Sequence, residues 1–255
     1  IRDYQKAKKL LSRDLSGDIT NGSGGKASSL EDTVCGIILS VRRQGDGALF
    51  AFTERYDGAV LKSLEVSARE IKAALRSIDA GLLRALEFAA QRIEKYHREC
   101  MKIYGKGFFK GGLGQQVRPL ERVGIYVPGG TAAYPSTVLM TAIPARVAGV
   151  DEVIMCTPCG SDGRVPANTL AAAAIAKVDR IFKVGGAQAI AAMAYGTESV
   201  PKVDKICGPG NIWVMTAKRL VYGAVDIDAL QGPSEGVVIA DSAADPAFCA
   251  ADLIA

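Results

Sequence analysis

Residues 181–214, IFKVGGAQAIAAMAYGTESVPKVDKICGPGNIWV, constrain the fold more than any other stretch of the chain. Residues 181–184 form a short, mostly apolar run, the pattern of a parallel strand buried on both faces. Gly185-Gly186 lets the backbone reverse sharply and approach a ligand closely. Residues 187–195 then form an alanine-rich helix, whose first N–H groups have no partner inside the helix. The unit repeats with a strand at 203–207, a turn at Gly208-Pro209-Gly210, and a helix to about Tyr222 that takes Asn211 as its N-cap. Two helix starts behind glycine turns, on adjacent strand ends, predict a site for an anionic group such as a pyrophosphate. Neither turn carries a complete G-x-G-x-x-G, so spacing alone leaves ordinary βα turns as an equal reading. Gln188 and Asn211 tip the balance, because an uncharged amide at a helix start can both donate and accept hydrogen bonds across the crevice.

The same alternation runs from Arg122 onward. Strands are expected at 122–127, 152–157, 180–184, 203–207 and 237–240, with helices at 137–147, 167–176, 187–195 and 211–222. This order predicts an α/β fold with a parallel sheet and helices on both faces. Upstream the chain reads as mainly helical. One helix starts at Ser28 or Ser29 and carries Val34, Ile37, Ile38 and Val41 on one stripe. Gly45-Asp46-Gly47 ends it, and a short helix follows at 48–55. Ser67-Ala68-Arg69-Glu70 is a capping box opening a helix to Ile78. A long helix covers 80–103, and residues 105–114 read as a loop with an exposed Phe108-Phe109.

Composition narrows the function classes. The chain has 255 residues and a net charge of +4, with basic residues scattered among acids. No basic stripe offers itself to nucleic acid. No apolar run reaches membrane-spanning length, since 138–150 is interrupted by Pro144 and Arg146. No signal peptide is visible, so the cytoplasm is the expected compartment and the six cysteines are expected as free thiols. Cys156-Thr157-Pro158-Cys159 is a C-x-x-C, but a Gly-Ser-Asp-Gly loop follows it rather than the helix start that would lower a thiol pKa. The single histidine, His97, sits among charged residues on the long helix and reads as a surface or packing residue. It can assemble no zinc site, and a G-x-S-x-G elbow and a Walker A loop are both absent. No catalytic and no metal-ligating residue is assigned within this chain.

Residues 122–130, RVGIYVPGG, form a third glycine turn. Tyr126, at its strand end, reads either as ordinary packing or as a ring and hydroxyl offered to a nucleotide at the mouth of the same crevice. Taken together, VGIYVPGGTAAYPSTVLMTAIPARVAGV, VGGAQAIAAMAYGTESVPKVDKICGPGN and GPSEGVVIAD closely resemble the histidinol dehydrogenase family. The resemblance spans the chain from about Ser29 to Ala255 and is dense from Arg122 on. It implies two successive NAD-dependent oxidations, of L-histidinol to the aldehyde and then to L-histidine, with zinc, usually in a homodimer. It implies an aldehyde-dehydrogenase-like architecture with two incomplete Rossmann-like units. By the same resemblance Tyr126, Gln188 and Asn211 contact NAD, and Ser234 contacts the substrate.

The resemblance also implies a division of labour. In the family a Gln-Ala-Glu-His run supplying zinc ligands, and a Glu-His pair moving protons, follow past position 255. The chain would then hold the nucleotide side of the site and be inactive alone. The implied organisation is an N-terminal arm and linker at 1–27, a helical part of a first domain at 28–121, an NAD-side domain at 122–235 and a return to the first domain at 236–255. Two other readings stand beside this one. The first is an aldehyde dehydrogenase with Cys207 as its nucleophile; the second is a non-catalytic nucleotide-binding module.

Overall fold

The structure, a computed structural model, describes residues 29–130, 132–232 and 236–254. The expected arm at 1–27 and the candidate Ser234 lie outside the described residues. Helix α1 (Leu30–Gln44) starts on a reciprocal capping box: Ser29 Oγ accepts from the Asp32 N–H, and the Asp32 carboxylate accepts from the Ser29 N–H. Its stripe of Val34, Ile37, Ile38 and Val41 is buried. Gly45 interrupts the helical path at φ +53°, and α2 (Asp46–Asp57) begins directly after it. The Ser67–Glu70 box opens α3 (Ala68–Ser77). Asp79 caps α4 (Ala80–Tyr104) by accepting from the N–H groups of Gly81 and Leu82.

A hairpin follows where a loop was expected, formed by β1 (Phe108–Lys110) and β2 (Leu113–Gln115). Gly111 and Gly112 both have positive φ, the two-residue turn whose twist matches that of paired strands. The Gly-Gly pair between Lys110 and Leu113 was its sequence signal. Phe108 and Phe109 are exposed on the hairpin.

The alternating part comprises β3 (Arg122–Tyr126), α5 (Pro135–Val147), β4 (Glu152–Thr157), α6 (Ala167–Ile175), β5 (Arg180–Lys183), α7 (Gly186–Tyr195), β6 (Lys205–Cys207), α8 (Ile212–Val221) and β7 (Asp226–Ile227). These five strands pair in parallel in the order β5-β4-β3-β6-β7. Strand residues alternate between two cores. Val123, Ile125, Val153 and Met155 face α3 to α6, whereas Tyr126, Ile154 and Cys156 face α1, α2, α7 and α8. The β5 edge is covered by residues 64–66, which run antiparallel beside it: the Val66 N–H donates to Ile181 O at 2.8 Å and the Lys183 N–H to Leu64 O at 2.7 Å.

The two ends of the sheet differ from expectation. Strand β7 was not foreseen, although Val225-Asp226-Ile227-Asp228 alternates in the way a strand should. The strand expected at 237–240 is instead irregular, with Val237 80% and Ile239 95% exposed. A strand needs a ladder partner, and none lies beside these residues among those described. Helix α9 (Pro246–Ile254) opens with the Asp245 carboxylate accepting from the Ala247 N–H, and buries none of its residues.

Candidate functional site

The chain winds outward from β3 to β5 and then crosses back to β6, so the strand order reverses between β3 and β6. At such a switch point the loops after the two strands separate and leave a crevice at their carboxyl ends. A cavity of about 310 Å³ occupies it, with walls from the segments after four strands: Tyr126, Pro158, Gly186 with Gln188, and Asn211. Helices α1 and α2 close it with Ile37 and Asp57. Tyr126, Gln188 and Asn211, expected to converge, thus line one cavity.

Their individual roles differ from a simple picture. The Tyr126 ring is 3% exposed, because β3 is the central strand and both its faces are covered. The ring therefore packs in the core instead of standing flat at the mouth. Its hydroxyl oxygen accepts from the Gly186 N–H at 3.0 Å, which pins the start of α7. Burial pushes the Tyr126 hydroxyl up to about 12, with the nearby Asp57 adding to the rise and the Gly186 bond opposing it. The phenol therefore stays protonated and keeps its own O–H to donate.

Gln188 is 2% exposed and forms no side-chain hydrogen bond within the described residues. Its Oε1 lies over Gly186, where an added Cβ would sit 2.9 Å from it. Its amide atoms are not among the enclosed unpartnered ones, so they open on the cavity with their hydrogen-bonding capacity free. Asn211 caps α8, and its Oδ1 accepts from the N–H groups of Trp213 and Val214 at 3.1 Å each. Only its NH₂ remains to donate. The two helix starts are consequently not equivalent. The first N–H groups of α8 are capped, whereas Gly185 at the start of α7 supplies no side-chain cap. The anion-binding potential expected of both helices belongs to α7, at the N–H groups that follow Gly186, whose own N–H is taken by Tyr126.

The turn after β6 is held by a pair that sequence reasoning missed. Gly208 has φ +115°, and a Cβ there would lie 2.1 Å from the Tyr126 carbonyl oxygen. Lys218, 1% exposed, donates to Gly208 O at 2.9 Å and pairs with Asp228. Asp228 in turn accepts from the Gly208 N–H at 2.8 Å. The pair grips both polar backbone groups of Gly208. A lysine on the otherwise apolar Val214, Ala217, Val221 face of α8 was the available signal.

Other candidates weaken. Burial pushes the Cys207 thiol up to about 11, opposite to what a nucleophile needs. Cys156 and Cys159 are free, buried and also raised by burial. A larger, open hollow of about 950 Å³ lies across the Gly208-Pro209 turn, against α4 and α5, and includes His97. Its walls are mainly apolar, with His97, Arg118, Lys205 and Gln231 among its polar lining residues. Among the described residues no group of three or more His, Cys, Asp or Glu side chains is placed to hold a metal ion. These residues do not by themselves fit zinc.

Comparison with known proteins agrees with this architecture. The profile described as histidinol dehydrogenase matches residues 21–255. The chain belongs to the histidinol dehydrogenase family. The histidinol dehydrogenase of Dehalococcoides mccartyi strain CBDB1 is 53% identical over 262 residues, covering 100% of this chain and 60% of the relative. That of Dehalococcoides mccartyi strain 195 is 56% identical over 225 residues, covering 88% of this chain and 52% of the relative. The chain thus spans about half to three-fifths of the length of these curated histidinol dehydrogenases. The crystal structure of histidinol dehydrogenase from Elizabethkingia anophelis matches with a TM-score of 0.82 and 38% identity, over 93% of this chain and 55% of that one. The α/β fold with its parallel, Rossmann-like sheet is therefore that of a histidinol dehydrogenase. No helix among the described residues is long and apolar enough to cross a membrane.

Proposed function

We propose that this chain builds the NAD side of a histidinol dehydrogenase active site, at which L-histidinol is oxidised through the aldehyde to L-histidine. One observation carries the reading. At the switch point, the Gln188 amide, which makes no side-chain hydrogen bond among the described residues, shares a cavity with the start of α7, whose N-cap residue Gly185 supplies no side-chain cap. A cavity left by packing alone is lined by apolar or satisfied groups.

The residues fit a dinucleotide. The α7 start suits a phosphate. The Tyr126 hydroxyl and the Asn211 NH₂ donate, and the Gln188 amide can do both. Tyr56 and Trp213, both exposed and both lining the cavity, offer flat faces to a base. At about 310 Å³ the cavity is at the small end of ligand sites and suits one nucleotide half. The bound NAD supplies the hydride acceptor, and the protein orients it. Ser234 is proposed on the substrate side; the Gly210 N–H donates to Gln231 O at 3.2 Å, tying the preceding segment to the same turn. Zinc, the acid–base pair and the homodimer belong to the whole enzyme in this reading.

Calorimetric titration with NAD+ tests it. The folded chain should bind weakly, and Gln188→Ala should weaken binding about 10-fold, as losing a buried hydrogen-bonding group does. A folded chain that takes up no NAD+ overturns the reading. Zinc-dependent oxidation of L-histidinol by this polypeptide alone would overturn the assignment of acid–base chemistry to residues elsewhere.

A further inference from the structure

Asp57 ends α2 and lines the switch-point cavity, yet no group among the described residues bonds to its carboxylate. The helix is closed without it: Gly58, in the left-handed conformation, donates its N–H to Glu54 O. A carboxylate at a helix C-terminus also meets the negative end of the helix dipole. Two buried side-chain polar atoms have no hydrogen-bond partner among the described residues, Asp57 Oδ2 and Thr53 Oγ1. They lie one turn apart on α2, on the same face.

The contrast with other partly buried acids is sharp. Asp46 accepts from Thr197 and Ser199. Glu65 takes both arms of Arg180. Glu70 pairs with Lys183, and Asp228 with Lys218. Asp57 has no ion pair among the described residues, and burial alone pushes its carboxyl up to about 6. At neutral pH it remains mostly ionised, so the cavity contains an acceptor with unused lone pairs.

Resting on the reading of this cavity as a dinucleotide site, we infer that Asp57 is a binding residue whose carboxylate accepts from a ribose diol of the bound nucleotide. It thereby selects against a nucleotide that carries a phosphate ester on that sugar. The diol offers hydroxyl donors to a carboxylate that lines the cavity and has no other donor among the described residues. A cation is the weaker alternative, because no second or third acid joins Asp57 in a metal-binding group. A phosphate ester on the diol would replace a donor by a dianion facing a carboxylate, which the low-dielectric wall makes strongly unfavourable.

Titration of the chain with NAD+ and with NADP+ tests this, using wild type, Asp57→Asn and Asp57→Ser, each first shown by circular dichroism to be folded. Wild type should prefer NAD+ by at least about 10-fold, in line with the strength of charge-assisted hydrogen bonds. Asp57→Asn should weaken NAD+ by about 10-fold, and Asp57→Ser should narrow the NAD+ to NADP+ ratio toward unity. NAD+ binding that both variants leave unchanged overturns the role of Asp57 and leaves the dinucleotide reading intact. Equal weakening of NAD+ and NADP+ overturns the diol assignment. Absence of binding by wild type overturns the dinucleotide reading and this inference with it.

Discussion

Lys218→Met probes the clamp that shapes the switch point, without touching the cavity wall. Methionine keeps most of the aliphatic stem and removes the ammonium. The native Lys218 is 1% exposed, donates to Gly208 O at 2.9 Å and pairs with Asp228. Stranding one partner of a buried pair costs about 3–5 kcal/mol. Asp228 is not fully stranded here: its side chain is 25% exposed, and it keeps the N–H groups of Gly208 and Ala229. The expected loss for Lys218→Met is therefore at the low end, about 2–3 kcal/mol. Asp228→Asn is the harsher change, since it leaves a buried ammonium without a counter-charge and one amide oxygen for the two donors that Asp228 now serves, Lys218 and the Gly208 N–H, and about 3–5 kcal/mol is expected. At about 2–4 °C per kcal/mol for a chain of this size, Lys218→Met should melt roughly 5–10 °C lower and Asp228→Asn lower still.

The double variant is the decisive arm. Lys218→Met with Asp228→Asn removes both charges, so part of the Asp228→Asn loss should return, giving a coupling of about 1–2 kcal/mol. Thermal and urea denaturation followed by circular dichroism reads all three. If Asp228→Asn proves milder than Lys218→Met, or if the two losses simply add, the ammonium is not paired as described. NAD+ affinity measured alongside should fall in every variant, because the Gly208 turn then loses its hold.

The remaining predictions concern the cavity itself. Gly208→Ala should cost more than about 3 kcal/mol or abolish soluble folding, since its Cβ would lie 2.1 Å from the Tyr126 carbonyl oxygen of the neighbouring strand; Gly223→Ala, with φ +98° and open space, controls for backbone strain alone and should cost about 1–2 kcal/mol. Asp57→Asn should stabilise the ligand-free chain at pH 7.5. Its carboxyl moves from 3.8 to about 6 on folding, so the native state holds the proton more tightly and ionisation opposes folding. At about 1.4 kcal/mol per tenfold change in proton affinity the limit is about 3 kcal/mol, reduced by water at a half-buried group to about 1–2 kcal/mol. The advantage over wild type should be full above pH 6 and vanish below about pH 4; a gain that persists at pH 3.5 would refute the electrostatic cause.

What could be read from the sequence followed the range of the interactions. Local signals were legible. The capping box at Ser67, the helix start at Ser29 and the α1 stripe appear where their residue types require, and β4 has its expected bounds. The convergence of Tyr126, Gln188 and Asn211 was legible too, because glycine turns after parallel strands must all open on one end of the sheet. What escaped was set by partners distant in sequence. Whether 237–240 is a strand depends on a neighbour that those residues cannot specify. The Tyr126 ring turned inward because β3 is central, a fact of strand order. Asp57 gave no signal at all, since an acid at a helix end is unremarked until another element buries it.

The distribution of satisfied and unsatisfied groups around the cavity argues for a ligand of definite polarity. The floor is held in place, with only the Tyr126 O–H and the Asn211 NH₂ left to donate: Asn211 caps α8, Tyr126 holds Gly186, and Lys218 with Asp228 grips Gly208. A floor so held has little freedom left to relax toward a guest, which is what preorganisation requires. The unmet capacity lies in the walls, and it is of two kinds. The start of α7 favours negative charge, whereas Asp57 repels it and seeks donors. A ligand with an anion at one end and hydroxyl donors beside it meets both demands at once in one orientation and clashes with both in the reverse one. A nucleotide has that pattern, its phosphate joined directly to the sugar that bears the diol. Inorganic phosphate alone would satisfy α7 and leave Asp57 unmet, so it should bind more weakly than a nucleoside monophosphate, and Asp57→Asn should close that gap.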